Sequence, residues 1–149
     1  MQSRFTDQNK LASDFYAEVW VACPVCSKKA VAKTFLEKKA ARLQCQNCGY
    51  NKETSIESKL KIIGDTAECL DSANSFFGAE LWLKYPFKNN FFIAYNGEEL
   101  EYLEQYISAG LREHNNRTGF TLLEKLPKFY HEAKNRESLL KIINKLKYK

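Results

Sequence analysis

A chain of 149 residues, 44% hydrophobic and 28% charged, has room for one domain or two small ones and is too apolar to stay disordered. No stretch approaches the roughly 18 uninterrupted apolar residues that span a bilayer, and the opening MQSRFTDQNK lacks the apolar run of a secretory signal; a cytoplasmic protein with reduced thiols and no membrane partner is expected. The net charge of +5 hides two basic ends around an acidic middle: residues 1–63 carry 11 basic and 6 acidic side chains, 64–114 carry 3 and 9, and 115–149 carry 9 and 3.

In chain order, DFYAEVWVA (14–22) is aromatic and β-branched and predicts a strand running into the first cysteine pair. AVAKTF (30–35) and ARLQC (41–45) predict two more strands, the last entering the second pair. YNKETSIESKLKII (50–63) alternates in part and holds one or two strands. Gly, Asp, Ser and Asn make GDTAECLDSANSFFG (64–78) a linker candidate. In LWLKYPFKNNFFIAYN (81–96), two aromatic-rich strands flank a turn at Lys88-Asn89-Asn90, and Pro86 marks an edge strand or bulge.

Asn96 predicts a helix cap, with Glu99 three residues on as in a capping box. Leu100, Leu103, Ile107 and Leu111 would form the buried stripe of a helix over 97–113. Glu98, Glu99, Glu101 and Glu104 would lie near its positive end as a solvated face. A further helical stretch covers 121–133, divided by Pro127. Asn135 caps a last helix with Leu139, Ile142, Ile143 and Leu146 on one side.

The cysteines carry the sharpest signal. Cys23 and Cys26 form C-P-V-C, and after 18 residues Cys45 and Cys48 form C-Q-N-C-G. Two residues between cysteines let a tight turn aim both sulfurs at one ion, and four soft ligands in a tetrahedron suit zinc. Gly49 suits a turn that needs positive φ, and Pro24 fixes φ at the start of the first turn. The pattern resembles a zinc ribbon: two cysteine knuckles joined through a small antiparallel sheet. One Zn2+ held by four protein ligands leaves no position for a catalytic water, so its role would be structural.

Little else points to catalysis. Cys69 fits a small buried apolar residue, His114 a helix end, and His131 a helix surface. No Gly-rich phosphate loop occurs, so neither an enzyme nor a small-molecule substrate is expected. The basic residues are more suggestive. Lys28 and Lys29 follow the first knuckle, Lys33, Lys38, Lys39 and Arg42 lie between the pairs, and Lys141 and Lys145 sit in the last helix. These could lie on phosphates of DNA or RNA, and Trp20, Phe35 and Tyr50 could stack on bases. Core aromatics and solubilising lysines explain the same residues.

Zinc ribbons recur in transcription factors, polymerase subunits, ribosomal proteins and replication proteins, so the resemblance implies nucleic-acid or protein contacts. The later sequence, ELWLKYPFKNNFFIAYNGEELEYLEQYISAGLREHN followed by LPKFYHEAKNRESLLKIINKLK, resembles a group of bacterial proteins. These place a zinc ribbon before blocks of this kind. The resemblance spans nearly the full chain and departs at Phe129-Tyr130, where the group has Trp-Met. It implies architecture and attaches no activity.

The expected fold is α+β: a four-cysteine antiparallel ribbon over 14–63, then an α+β unit over 74–149 with a hairpin and about three helices. The expected function is non-enzymatic contact with nucleic acid or a nucleoprotein complex. The alternative is a protein–protein adaptor or homo-oligomeric module using the hairpin aromatics Trp82, Phe87 and Phe91 and the acidic helix.

Overall fold

The computed structural model describes residues 4–6, 8, 10–64, 66–69, 71–109, 111–113 and 121–149. In order these form β1 (Arg4–Thr6), a 3-10 turn (Ala12–Phe15), β2 (Glu18–Ala22), β3 (Lys29–Phe35), β4 (Ala40–Gln44) and β5 (Asn51–Ser55). A 3-10 turn (Glu57–Lys59), β6 (Leu60–Ile63), β7 (Thr66–Cys69), a 3-10 turn (Ala73–Phe77), β8 (Leu83–Phe87) and β9 (Asn90–Ala94) follow. The chain continues through α1 (Gly97–Ser108), β10 (Leu111–Glu113), α2 (Leu122–Lys125), 3-10 turns at Lys128–Tyr130 and Ala133–Asn135, and α3 (Arg136–Lys147). Among the described residues no helix is long and apolar enough to cross a membrane.

Two compact units result, Ser13–Leu83, and Met1–Ala12 with Lys84–Lys149. In the first, β2-β3-β4-β5 form an antiparallel sheet in sequence order. Alternation puts Val19, Val21, Ala30, Ala32, Ala41 and Leu43 on one face, all buried. The turn Ala73–Phe77 packs across β2, β3 and β4. Small alanines on β3 and β4 leave room for this close approach. The outer edge of β2 is met by residues 80–82, through Ala22 N–H to Glu80 O (2.9 Å) and Trp82 N–H to Trp20 O (2.9 Å).

The stretch 64–78, read as a linker, instead carries β7, paired antiparallel with β6, and the packed 3-10 turn. Its turn residues serve local turns: Gly64 and Gly78 hold φ of 64° and 59°. The strand expected over 14–22 begins only at Glu18, because residues 12–15 close a 3-10 turn that buries Phe15.

In the second unit β8 and β9 form the expected hairpin. Pro86 is tolerated because, among the described residues, β8 has a strand partner on one side only. Helix α1 packs on α3 and β9, and β1 pairs parallel with β10. Phe87 and Phe129 stack at 5.1 Å and Phe92 meets Tyr130 at 5.3 Å, all four buried. The Asn96 side chain accepts the Glu99 N–H at 2.9 Å, as a cap should. Helix α1 stops at Ser108, since Ala109 is extended (φ −75°, ψ 131°), and Leu111 belongs to β10. The predicted helix over 121–133 is broken into α2 and short 3-10 turns, with Leu126 and Pro127 extended between them.

Candidate metal centre

Both cysteine pairs lie in turns at the same end of the sheet: Cys23 and Cys26 between β2 and β3, Cys45 and Cys48 between β4 and β5. The two turns repeat one another. Cys23 N–H donates to Lys28 O and Ser27 N–H to Cys23 O, at 2.8 and 3.0 Å. Cys45 N–H donates to Tyr50 O and Gly49 N–H to Cys45 O, at 2.8 and 3.0 Å. Each turn needs a left-handed residue four places after its first cysteine: Gly49 at φ 82° and Ser27 at φ 64°.

Together the turns bring all four sulfurs within 4.8 Å of one another. A tetrahedron of sulfurs about 2.3 Å from a central ion has edges of about 3.8 Å. The Cys23–Cys48 and Cys26–Cys45 Sγ pairs are each 3.6 Å apart, so the cluster fits such an ion. Val25 N–H points at Cys23 Sγ (3.4 Å) and Asn47 Nδ2 at Cys26 Sγ (3.4 Å), donors that thiolate ligands require.

The sulfurs do not ionise alike. Asn47 first, then the Lys28 amide, hold the Cys26 thiol down at about 6. At Cys48 the Tyr50 amide pulls the thiol down, but desolvation and hydrogen bonds to three neighbouring sulfurs outweigh it and push it up to about 12. Close thiolates oppose one another's charge, and a divalent cation removes that conflict. Four cysteine ligands complete a tetrahedral shell, so the cluster suits a structural metal site.

The opposite face of the same sheet is partly exposed. Trp20, Val31 and Arg42 are half-buried there, and Lys29, Lys33, Phe35 and Gln44 are exposed. Cross-strand register lines up Glu18, Lys33, Arg42 and Glu53 in one row across the four strands. Lys33 meets Glu18 at 3.5 Å and Arg42 meets Glu53 at 3.3 Å. Lys29 Nζ lies 3.4 Å from the centre of the Trp20 ring. Lys28 is exposed in the knuckle, and Lys38 and Lys39 are exposed at the β3–β4 tip, where Lys39 pairs with Glu57 at 3.6 Å. Tyr50, named beside Trp20 and Phe35, sits half-buried in the second knuckle. Period-two spacing makes the shared face of Lys29, Lys33 and Phe35 legible, but only the register brings Arg42 beside Lys33.

In the second unit, Lys141 pairs with Glu137 (3.6 Å) and Lys145 donates to Tyr85 Oη (3.1 Å). Of the aromatics proposed for docking, Phe91 is 53% exposed, Trp82 is half-buried, and Phe87 is buried in its stack with Phe129. Glu99 departs from the solvated face read for it. It is 3% exposed, and desolvation pushes its carboxyl up to about 7 despite a hydrogen bond from the Tyr95 amide. His131 shares a 2.6 Å hydrogen bond with Tyr106 Oη, and Cys69 Sγ–H donates to Asp71 O. His114 lies outside the described residues.

Comparison with protein-family models, with curated proteins and with solved structures finds no match. The likeness to the bacterial group therefore rests on the quoted residues alone.

Proposed function

We propose that the chain is a non-enzymatic zinc-ribbon module that contacts nucleic acid, free or in a nucleoprotein complex, through the basic surface of its ribbon. Cys23, Cys26, Cys45 and Cys48 would hold one structural zinc ion, whose contribution is to pin the two knuckles. The observation that carries the reading is the distribution of cations over the ribbon. Lys28 stands in a knuckle, Lys29, Lys33 and Arg42 along one open sheet face, and Lys38 and Lys39 at the far tip. The acids among them, Glu18, Glu53 and Glu57, form exposed pairs of 3.3–3.6 Å, worth about 0–1 kcal/mol each. A phosphate can take those cations at little expense.

The test is binding of metal-loaded protein to labelled DNA and RNA across a salt series, with zinc content measured on the same sample. Affinity is expected to fall linearly in log salt and to collapse when Lys28 and Lys29 become glutamate. No binding at low salt, with zinc present and the fold intact, would overturn the reading.

A second reading has one observation of its own. Phe91 and Ile93, two residues apart on β9, are 53% and 37% exposed, an apolar pair on which a partner or a second copy would dock. Sedimentation that depends on concentration, and is abolished by Phe91→Asp, would establish it; a monomer at all concentrations would remove the second-copy form.

A further inference from the structure

The open face of the ribbon sheet holds an arrangement that phosphate contact alone does not explain. Across its middle runs the row Glu18, Lys33, Arg42, Glu53. The two cations are cross-strand neighbours on the inner strands, and each acid stands on an outer strand. Like charges directly opposed on a sheet repel. Glu18 and Glu53 relieve that repulsion only from the sides, at 3.5 and 3.3 Å. An anion over the centre of the row would meet both cations at once.

On either side of this row stands a ring. Trp20 lies toward the knuckles, opposite Val31 on β3, and Phe35 lies toward the tip, four residues along β3 from Val31. At about 3.4 Å per residue this separates the rings by roughly 14 Å along the sheet. Beside Phe35, over the charged row, is an open depression of about 260 Å³ lined by Glu18, Val31, Lys33, Phe35, Arg42, Gln44 and Gln46. Phe35 is 36% exposed although it is a large apolar side chain. Lys29 over Trp20, and Lys38 and Arg42 5.7 and 6.0 Å from the Phe35 ring, keep cations at both rings.

We infer that this face is a platform for single-stranded nucleic acid, with a backbone phosphate over Lys33 and Arg42, a base stacked on Phe35, and a second base on Trp20 once the Lys29 side chain swings off that ring. The inference rests on the nucleic-acid reading above and narrows it to unpaired strands. Rings standing on a sheet face can reach only bases that are free to turn outward; paired bases in a duplex offer edges and phosphates instead. The acidic partners set the charge of the site. With its acids present the row is neutral overall, so the rings, and not net charge, must supply the preference for unpaired bases.

The test uses the full, zinc-loaded chain with three labelled probes: oligo-dT and oligo-U of about 15 nucleotides, within the usual range of site sizes, and a duplex of the same length. Single strands are expected to bind more tightly than duplex. Phe35→Ala should weaken single-strand binding roughly 5- to 100-fold and leave duplex binding unchanged. Phe35→Tyr, which keeps a ring, should restore it. Arg42→Gln should reduce the salt dependence for single strands by about 0.7 in log–log slope, the share of one phosphate. Phe35 is exposed, and retained zinc content reports that each variant is folded. Equal binding of duplex and single strand with Phe35→Ala silent would overturn the platform and leave general phosphate contact standing. Failure of all three probes to bind at low salt would overturn both readings. Preference between oligo-dT and oligo-U, once either binds, tells DNA from RNA.

Discussion

Ser27 holds φ 64° in the first knuckle, at the position where the second knuckle has Gly49 at φ 82°. A side chain in this region costs about 1 kcal/mol or more. A Cβ at Gly49 would meet nothing within 4 Å among the described residues, so the backbone angle is what opposes one there. Ser27→Gly is therefore expected to stabilise the ribbon by about 1 kcal/mol and Gly49→Ala to destabilise it by a similar amount, read as opposite shifts in denaturant midpoint. Glu99 makes a second prediction at this scale. Its Oε2 is buried with no hydrogen-bond partner among the described residues, and its carboxyl is raised from 4.5 to about 7. Between these values the folded chain keeps a proton that the unfolded chain has released. The stability this group contributes is therefore fully present below pH 4.5 and is lost as pH rises through about 7. The loss attributable to this group is about 2–4 kcal/mol. Glu99→Gln should flatten that part of the stability–pH curve; an unchanged slope in denaturation across the window would refute the assignment. Nothing in the spacing of Glu98, Glu99, Glu101 and Glu104 distinguishes the buried one, because burial there depends on what packs against the helix start.

At the scale of elements, Asn135 shows why a cap residue can be misread. It stands just before α3, but its backbone is already helical (φ −98°, ψ −6°) and its side chain caps nothing. Instead Nδ2 donates to Phe129 O at 3.2 Å and Oδ1 accepts from Lys88 Nζ at 3.2 Å, with the residue 4% exposed. It ties the start of α3 to the hairpin turn, where Lys88 holds φ 52°. Asn135→Ala would leave a buried carbonyl unpaired, and a loss of about 1–3 kcal/mol in chemical denaturation is expected. The strands β3, β4 and β5, the hairpin, α1 and α3 are legible in the sequence because period two and period 3.6 are local signals. Strand β7 and the turn at 73–77 are not, since Gly, Asp, Ser and Asn mark turns within packed structure as readily as a linker. The parallel pairing of β1 with β10 is a contact between sequence-distant segments with no local signature.

For the whole molecule, the four-cysteine cluster is readable from spacing alone, because two residues between cysteines are a local pattern that aims both sulfurs of a pair to one side. The open face was only half readable: alternation names its residues, but the cross-strand row exists only once the register is known. Each unit has its own core, so removal of metal should act unevenly. Chelation with mild acidification is expected to release the amides of β2–β5 to hydrogen exchange while those of α1 and α3 stay protected. Uniform loss of protection would show that the second unit depends on the first.

The two knuckles sit at one end of the sheet and the β3–β4 tip at the other, which gives the cluster a task during folding as well as after it. If β3 slipped by one residue against β4, Lys33 or Arg42 would turn toward the buried alanines. The cysteine pairs that bound this hairpin would also shift by about 3.4 Å relative to each other, nearly a full edge of the sulfur tetrahedron. The native alignment brings the four sulfurs within 4.8 Å of one another, and such a slip would pull them apart. Metal capture would thus proofread the pairing of the inner strands, and a misaligned ribbon would be released for another attempt.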